Sequence, residues 1–342
     1  MSKKRSLLVF RVLLLIGTAV SLYFVPWPIV MAWIQPLPDT VQEQIDQVHE
    51  YGFDGIIVYV DQKGKPPEFY TAGYKNTESK TPADAQSLFK IASVEKLFKA
   101  LTVAKLSYRN HLSLDRSLAA YLPDLSKNVK NADEITLRML VQHRSGIPDY
   151  TYTKDYWANP KNTVEENLNL ITDQPAEFAP DTDYGYSNTN YLLLGRILDQ
   201  TLGYNHFQYI ENEILKPLQL NNIHTSINEV NIENVMSGYY VGYPHDLKTE
   251  DVGMLATAQD LGRFIRALNE GTVFTDSTEQ QIYSSIYVYE HTGLIPGYQT
   301  IAKYHADMDT VVIQFTNTVD FEGYNWNMSE IMYSRILKIL RQ

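Results

Sequence analysis

Phe89-Lys90-Ile91-Ala92-Ser93-Val94-Glu95-Lys96 carries the pattern Ser-x-x-Lys at Ser93, and the overlapping Ser87-Leu88-Phe89-Lys90 carries it again. About one such match is expected by chance in a chain of this length, so local geometry has to separate the two. In a strand, residues three apart point to opposite faces, and Ser87 would not meet Lys90. In a helix they are neighbours, and Lys96 would lie beside the Ser93 hydroxyl. Val94, Leu97, Phe98, Leu101 and Ala104 fall at helical spacing, so Ser93 opens a helix. The free N–H groups there favour developing negative charge. Those are the requirements of an activated serine, an adjacent base and a place for an oxyanion. The plainer reading is a serine N-cap with Glu95 and Lys96 as solvated charges.

A lysine acts as a base only when neutral, against an ordinary pKa of about 10.4. Burial or a second cation must lower it, or a phenolate must share the work. Tyrosine is abundant at 25 residues, so Tyr-x-Asn recurs: Tyr74/Asn76, Tyr108/Asn110 and Tyr186/Asn188. Only Tyr186-Ser187-Asn188 lies in a loop leading straight into a strong helix pattern.

The N-terminus reads differently from the rest. Lys3, Lys4, Arg5 and Arg11 precede an uncharged apolar stretch from Val12 to Trp33, broken by Pro26 and Pro28. It has the length of a span, and its first part that of a signal-peptide core. The expectation is a membrane anchor over residues 1–34, with a cleaved signal as the alternative. Either places the remainder outside the cytoplasm by the positive-inside rule. Beyond residue 34 the chain has 25 Lys+Arg against 40 Asp+Glu, a net −15. So acidic a body has no electrostatic footprint for nucleic acid. The absence of cysteine removes thiol chemistry and cysteine metal sites.

The pattern then suggests a helix carrying Val41, Ile45 and Val48 and ending at Gly52. Strands are expected at Gly55 to Val60, Glu68 to Gly73, Ile282 to Tyr289, Tyr298 to Tyr304 and Thr310 to Thr316. Helices are expected at Asn190 to Leu202 and Asn327 to Leu340. Strands at both ends with helices between imply an α+β fold. Its antiparallel sheet would be flanked by N- and C-terminal helices. The sheet lobe would use about 38–92 and 252–342 of a domain spanning 35–342. A mostly helical lobe, 93–251, would be inserted, with the substrate cleft between the two.

Taken in order, Phe89 to Lys96, Tyr186-Ser187-Asn188 and His291-Thr292-Gly293 resemble the serine β-lactamase and penicillin-binding DD-peptidase superfamily. The likeness is to its class C-like and DD-carboxypeptidase or esterase branch. His143-Arg144-Ser145-Gly146-Ile147-Pro148, Tyr191 to Gly195, Gly253 to Leu261 and Pro296-Gly297-Tyr298 add to it. The resemblance implies that Ser93 forms an acyl-enzyme while Lys96 and Tyr186 move protons. Asn188 would hold Lys96 or the substrate amide. His291 and Thr292, with Gly293, would line the strand edge that binds substrate. The N–H groups of Ser93 and Leu294 would form the oxyanion hole.

Two residues depart from that pattern. Glu95 stands where a small hydroxyl residue is common and, one position from Lys96, should point elsewhere on the helix. His291 stands where β-lactamases place lysine, and a neutral imidazole holds a carboxylate less firmly. Glu165-Glu166-Asn167-Leu168-Asn169 mimics a class A deacylation loop but precedes Tyr186. With Thr163 it reads as a capping box. The remaining histidines are scattered, and neither a His-Glu-x-x-His nor a Gly-x-Ser-x-Gly pattern occurs. No metal and no cofactor is expected. Tyr150, Tyr152, Tyr156 and Trp157 would wall the cleft or pack the core.

The expectation is thus an exported serine hydrolase, first of all a DD-carboxypeptidase acting on cell-wall-type peptides. Esterase and β-lactamase activities, taking an ester or a β-lactam, come next. A catalytically silent peptide-binding protein is the alternative from another class.

Overall fold

The computed structural model describes residues 3–158, 160–161 and 163–342. The apolar N-terminal stretch is not one helix. Helix α1 (Lys3–Tyr23) and helix α2 (Trp27–Ile34) are bent by 81°. Pro26 has no N–H to continue the first helix, and Pro28 sits in the first turn of the second. Among the described residues no single helix is long and apolar enough to cross a membrane, although the bent pair together has that length and composition. Helix α2 is also engaged with the body. Ala32 is buried, and the Lys338 ammonium lies 5.0 Å from the Trp33 ring centroid. The buried Arg335 guanidinium donates to the carbonyls of Gln35 and Pro36 and to Gln44 Oε1.

Thr40 and Glu43 form a reciprocal capping box that starts helix α3 (Val41–Asp46). The helix ends earlier than the sequence pattern suggested; turns carry the chain to Gly52, and Val48 stays buried. The main sheet is antiparallel and six-stranded. It uses β1 (Gly55–Gln62), β2 (Glu68–Asn76), β3 (Thr81–Pro82), β4 (His291–Ile295), β5 (Tyr298–His305) and β6 (Thr310–Thr316). Their order is β3-β2-β1-β6-β5-β4, so strands from the two ends of the chain meet where β1 pairs with β6. The period-two rule explains the layers. Ile56, Val58 and Val60 face a core shared with α3 and the C-terminal helix, whereas Ile57 and Tyr59 face the larger core on the other side.

That larger core holds helix α4 (Glu95–Tyr108), helix α5 (Asn188–Leu202) and helix α6 (Ala258–Glu270). The strand expected over Ile282 to Tyr289 is replaced by helix α7 (Ser277–Ser284) and a turn. Asp276 caps this helix by accepting from the Thr278 and Glu279 N–H groups. Glu279, buried, pairs with Lys105 of α4 at 2.9 Å. The alternating Ile and Tyr residues mimicked a strand because Tyr283 and Ile286 are buried from a helix and a turn. The edge strand starts only at His291. Helix α8 (Asn325–Leu340) closes the chain.

A small three-stranded sheet sets the position of Ser93. Phe89–Lys90 pairs with Leu255–Ala256, which pairs with Ile223–His224. Phe89 stacks on Phe315 at 4.4 Å and meets Tyr298 edge-on at 4.9 Å. Truncating a buried ring of this kind costs about 3–5 kcal/mol, so the segment before Ser93 is firmly seated on the main sheet.

Candidate active site

Between Lys90 and α4 the backbone turns sharply. Ala92 has φ of +50°, an unfavourable conformation for a residue with a side chain, and Ala92–Val94 forms a 3-10 turn leading into α4. No side chain caps either the turn or the helix. The Ser93 hydroxyl is therefore not spent on an N-cap. It accepts from Lys96 Nζ at 3.1 Å and from the Tyr186 hydroxyl at 2.7 Å. Lys96 is only 7% exposed, which removes the reading of a solvated charge.

Among the described residues Lys96 has no carboxylate in contact. Its ammonium also donates to Asn188 Oδ1 at 2.9 Å and lies over the rings of Tyr186 and Tyr191, 5.1 and 5.4 Å from their centroids. Asn188, the first residue of α5, is held by Asp149: both its backbone N–H and its Nδ2 donate to Asp149 Oδ2, at 3.0 and 2.9 Å. The other Asp149 oxygen takes the Thr151 N–H and hydroxyl, both at 2.9 Å. A carboxylate only accepts, so Asn188 must turn its Nδ2 to Asp149 and its oxygen to Lys96.

Tyr186 is placed by His143. The two rings stack at 4.4 Å, and His143 Nδ1 accepts the Ser187 N–H at 3.2 Å. His143 takes φ of +57°. Burial pushes its pKa down to about 3, helped by nearby Lys96 and His291, so the ring is neutral. With Nδ1 accepting, the proton is on Nε2, which is buried without a partner. Neither His143 nor Asp149 was singled out as a site residue from the sequence. Their signal was the His143 to Pro148 stretch, which ends beside Asp149.

Strand β4 runs along the Ala92–Val94 turn. A Cβ on Gly293 would sit 2.3 Å from the Ile91 carbonyl oxygen, so only glycine permits this approach. The two-residue turn Pro296-Gly297, with Gly297 at φ +80°, makes Ile295 and Tyr298 a hydrogen-bonded pair. Leu294, opposite Gln299, is then a non-hydrogen-bonded position, and its N–H faces away from β5. The same parity applies to Thr292, opposite Ile301.

His291 lies on the edge strand beside the cavity, as the resemblance implies, with both ring nitrogens engaged. Its Nδ1 meets the Thr292 carbonyl at 2.5 Å, so Nδ1 carries the proton. Its Nε2 accepts from the Tyr287 hydroxyl at 2.9 Å. Burial, then Lys96, lowers its pKa to about 4. The imidazole is neutral and has no free donor for a substrate carboxylate.

Two cavities flank this group. One of about 630 Å³ is lined by Tyr186, Tyr287, His291, Thr292, Arg144 and Lys303. The other, about 200 Å³, lies beside Ser93 and Asn188 and is walled by Tyr150, Tyr156 and Trp157, whereas Tyr152 is 77% exposed. Thr163 and Glu166 form the expected capping box, and Glu165 lines a separate cavity with Arg196 and Asp199. Among the described residues no His, Asp or Glu group could hold a metal ion.

The family model described as Beta-lactamase matches residues 33–287. The chain belongs to the Beta-lactamase family. Relatives include Protein flp of Staphylococcus aureus (strain MW2), 28% identical over 58% of this chain. This chain covers 41% of flp, about two fifths of that protein's length. Penicillin-binding protein 4* of Bacillus subtilis (strain 168) is 22% identical, over 83% of this chain and 72% of that protein. D-amino acid amidase from Ochrobactrum anthropi SV3 superposes with a TM-score of 0.77 at 22% identity, covering 88% of this chain and 97% of the amidase. At that identity the amidase shares the fold. The fold is thus the α+β serine hydrolase fold of β-lactamases and penicillin-binding proteins. The family match ends before His291-Thr292-Gly293, so β4 enters the site on geometry.

Proposed function

We propose that this chain is a serine hydrolase that forms an acyl-enzyme on Ser93 and cleaves amide or ester bonds in small acyl donors, short peptides first. One observation carries the reading: Ser93 Oγ is within hydrogen-bond reach of both Lys96 Nζ and Tyr186 Oη. On attack, the Ser93 proton passes to Lys96 in its free-amine form or to Tyr186 in its phenolate form, the other group staying protonated, and then to the leaving group. The new oxyanion faces the Ser93 and Leu294 N–H groups. Water then enters by the reverse proton path and releases the acid. Asn188 keeps Lys96 aimed at Ser93.

A cell-wall-type DD-carboxypeptidase is one form of this activity, and its substrate ends in a carboxylate. The engaged, neutral His291 favours a second form, in which the leaving group is uncharged, as in an amino-acid amide or ester. β-Lactam turnover ranks third because position 291 offers no fixed ammonium. The N-terminal stretch is proposed to hold the protein at the outer face of a membrane. Release from membranes on deletion of residues 1–34 tests that part.

The experiment is intact-mass spectrometry after exposure to a fluorophosphonate or a fluorescent penicillin. A single adduct is expected in the wild type and none in Ser93→Ala. An adduct that survives Ser93→Ala overturns the assignment. Turnover of D-Ala-D-Ala peptides, amino-acid amides, p-nitrophenyl esters and nitrocefin then ranks the substrates.

A further inference from the structure

Two charged residues beside the nucleophile have no part in the chemistry above, and both hold the same segment. Residues 241–254 form an irregular strap with one short 3-10 turn, Leu247–Thr249. Its residues 241–245 and 249–252 are exposed. Leu247 packs on the main core, Asp246 accepts from Ser237 and Gly238, and Asp251 accepts from Ser226, Ile227 and Asn228. This leaves 252–254 beside the cleft to Lys90 and Glu95. Lys90 is 1% exposed and, among the described residues, has no carboxylate within ion-pair distance. Its ammonium donates instead to the strap carbonyls of Leu247 at 2.6 Å and Glu250 at 2.5 Å. Glu95 pairs with Lys99 at 2.6 Å, and its second oxygen accepts the Met254 N–H at 3.3 Å. Gly253, at φ +70°, has its Cβ position 3.2 Å from that same oxygen. Val252 and Gly253, between the two pins, line the cavity of about 200 Å³ that contains Ser93 and Asn188.

We propose that Lys90 and Glu95 are specificity-determining residues that clamp the 241–254 strap and so fix the acyl-side wall of the cleft. The inference rests on the proposed acylation of Ser93, and it assigns the Asn188 side to the acyl group because His291, Thr292 and Tyr186 occupy the other cavity. The clamp holds a wall on which bulky acyl groups pack, and neither residue is among the hydrogen-bond partners of Ser93. Lys90 reaches no atom of Ser93, and Glu95 turns its carboxylate toward Lys99 and Met254.

The test compares p-nitrophenyl acetate with p-nitrophenyl phenylacetate, which share a leaving group and differ in acyl bulk. Lys90→Met is expected to raise KM for the phenylacetate about tenfold with kcat little changed, and to alter the acetate less than twofold. Glu95→Gln, which keeps an acceptor for Met254 N–H but loses the ion pair, is expected to shift the phenylacetate-to-acetate ratio about threefold in the same direction. Trypsin cleavage at Lys248 reads the clamp without any activity, and it should accelerate in both variants. An unchanged ratio with unchanged cleavage overturns the proposal. So does an equal loss of both esters in a folded Lys90→Met. If Lys90→Met does not fold, Glu95→Gln decides alone. If wild-type Ser93 takes no label, the functional reading falls while the cleavage assay still judges the clamp.

Discussion

Ser87-x-x-Lys90 and Ser93-x-x-Lys96 are the same four-residue pattern, six residues apart, with opposite outcomes. The first runs into the Phe89–Lys90 strand. Ser87 Oγ is buried without a partner, and Lys90 reaches away to the strap carbonyls. The second runs through a 3-10 turn into α4, and its serine and lysine meet at 3.1 Å. The difference teaches that this pattern carries no chemistry until the backbone periodicity brings both side chains to one face.

The largest effect that could break the comparison is Ser93→Ala, expected to abolish acylation, while Ser87→Ala should keep the labelling rate within about twofold. Loss of labelling in Ser87→Ala would erase the distinction. Next comes Tyr186→Phe, where removing the proposed proton-transfer group should lower kcat by about 10²–10⁴, read by steady-state ester hydrolysis. A smaller loss is expected for Asp149→Ala, because it frees the Asn188 amide without touching Ser93. The expected drop in kcat is about tenfold, and combined with Asn188→Ala the two losses should be less than additive.

Stability against pH sharpens the same contrast. His143 and His291 have pKa values lowered to about 3 and 4, so the unfolded chain binds more protons below about pH 6.5. Their contribution is complete above pH 6.5 and is lost as pH falls through 4 to 3. Urea unfolding at pH 7 and pH 4 should differ by about 3 kcal/mol less in His291→Gln than in the wild type. Lys90 behaves on the alkaline side. Burial, opposed by Glu250, Asp246 and Asp251, lowers it to about 8, so the unfolded chain binds more protons up to its ordinary value. Stability from this group therefore rises between about pH 8 and 10.5. In Lys90→Met that rise should shrink by at most about 3 kcal/mol, measured by the same unfolding.

Much of the fold was legible because its signals are local. Gly55 to Val60, Glu68 to Gly73, Tyr298 to Tyr304 and Thr310 to Thr316 alternate or run apolar as buried strands do, and all four lie within observed strands. The helix ended by Gly203 at φ +77° was equally plain. The miss at Ile282 to Tyr289 has a local cause: its Ile, Tyr and Val residues read as a strand, and the Asp276 cap that starts α7 lies upstream of that run. The break of the Val12 to Trp33 stretch at its prolines was visible in the sequence, but the docking of its second half was not: Arg335, three hundred residues away in sequence, holds the segment that follows α2.

Sequence alone determined the family, through the likeness of its ordered motifs to known ones, and the residue types that could activate a serine, which follow from chemistry and short-range periodicity. The choice of Ser93 over Ser87 was already legible from helix against strand spacing; only the tertiary structure put the Lys96 amine and the Tyr186 phenol within hydrogen-bond reach of Ser93. It also found Asp149 and His143 behind Asn188 and Tyr186, and it gave His291 a partner in Tyr287. The physical reason is common to all of these. Each depends on hydrogen bonds or ring contacts between residues far apart in the chain, and a buried group's protonation and direction are set by neighbours that no local pattern names.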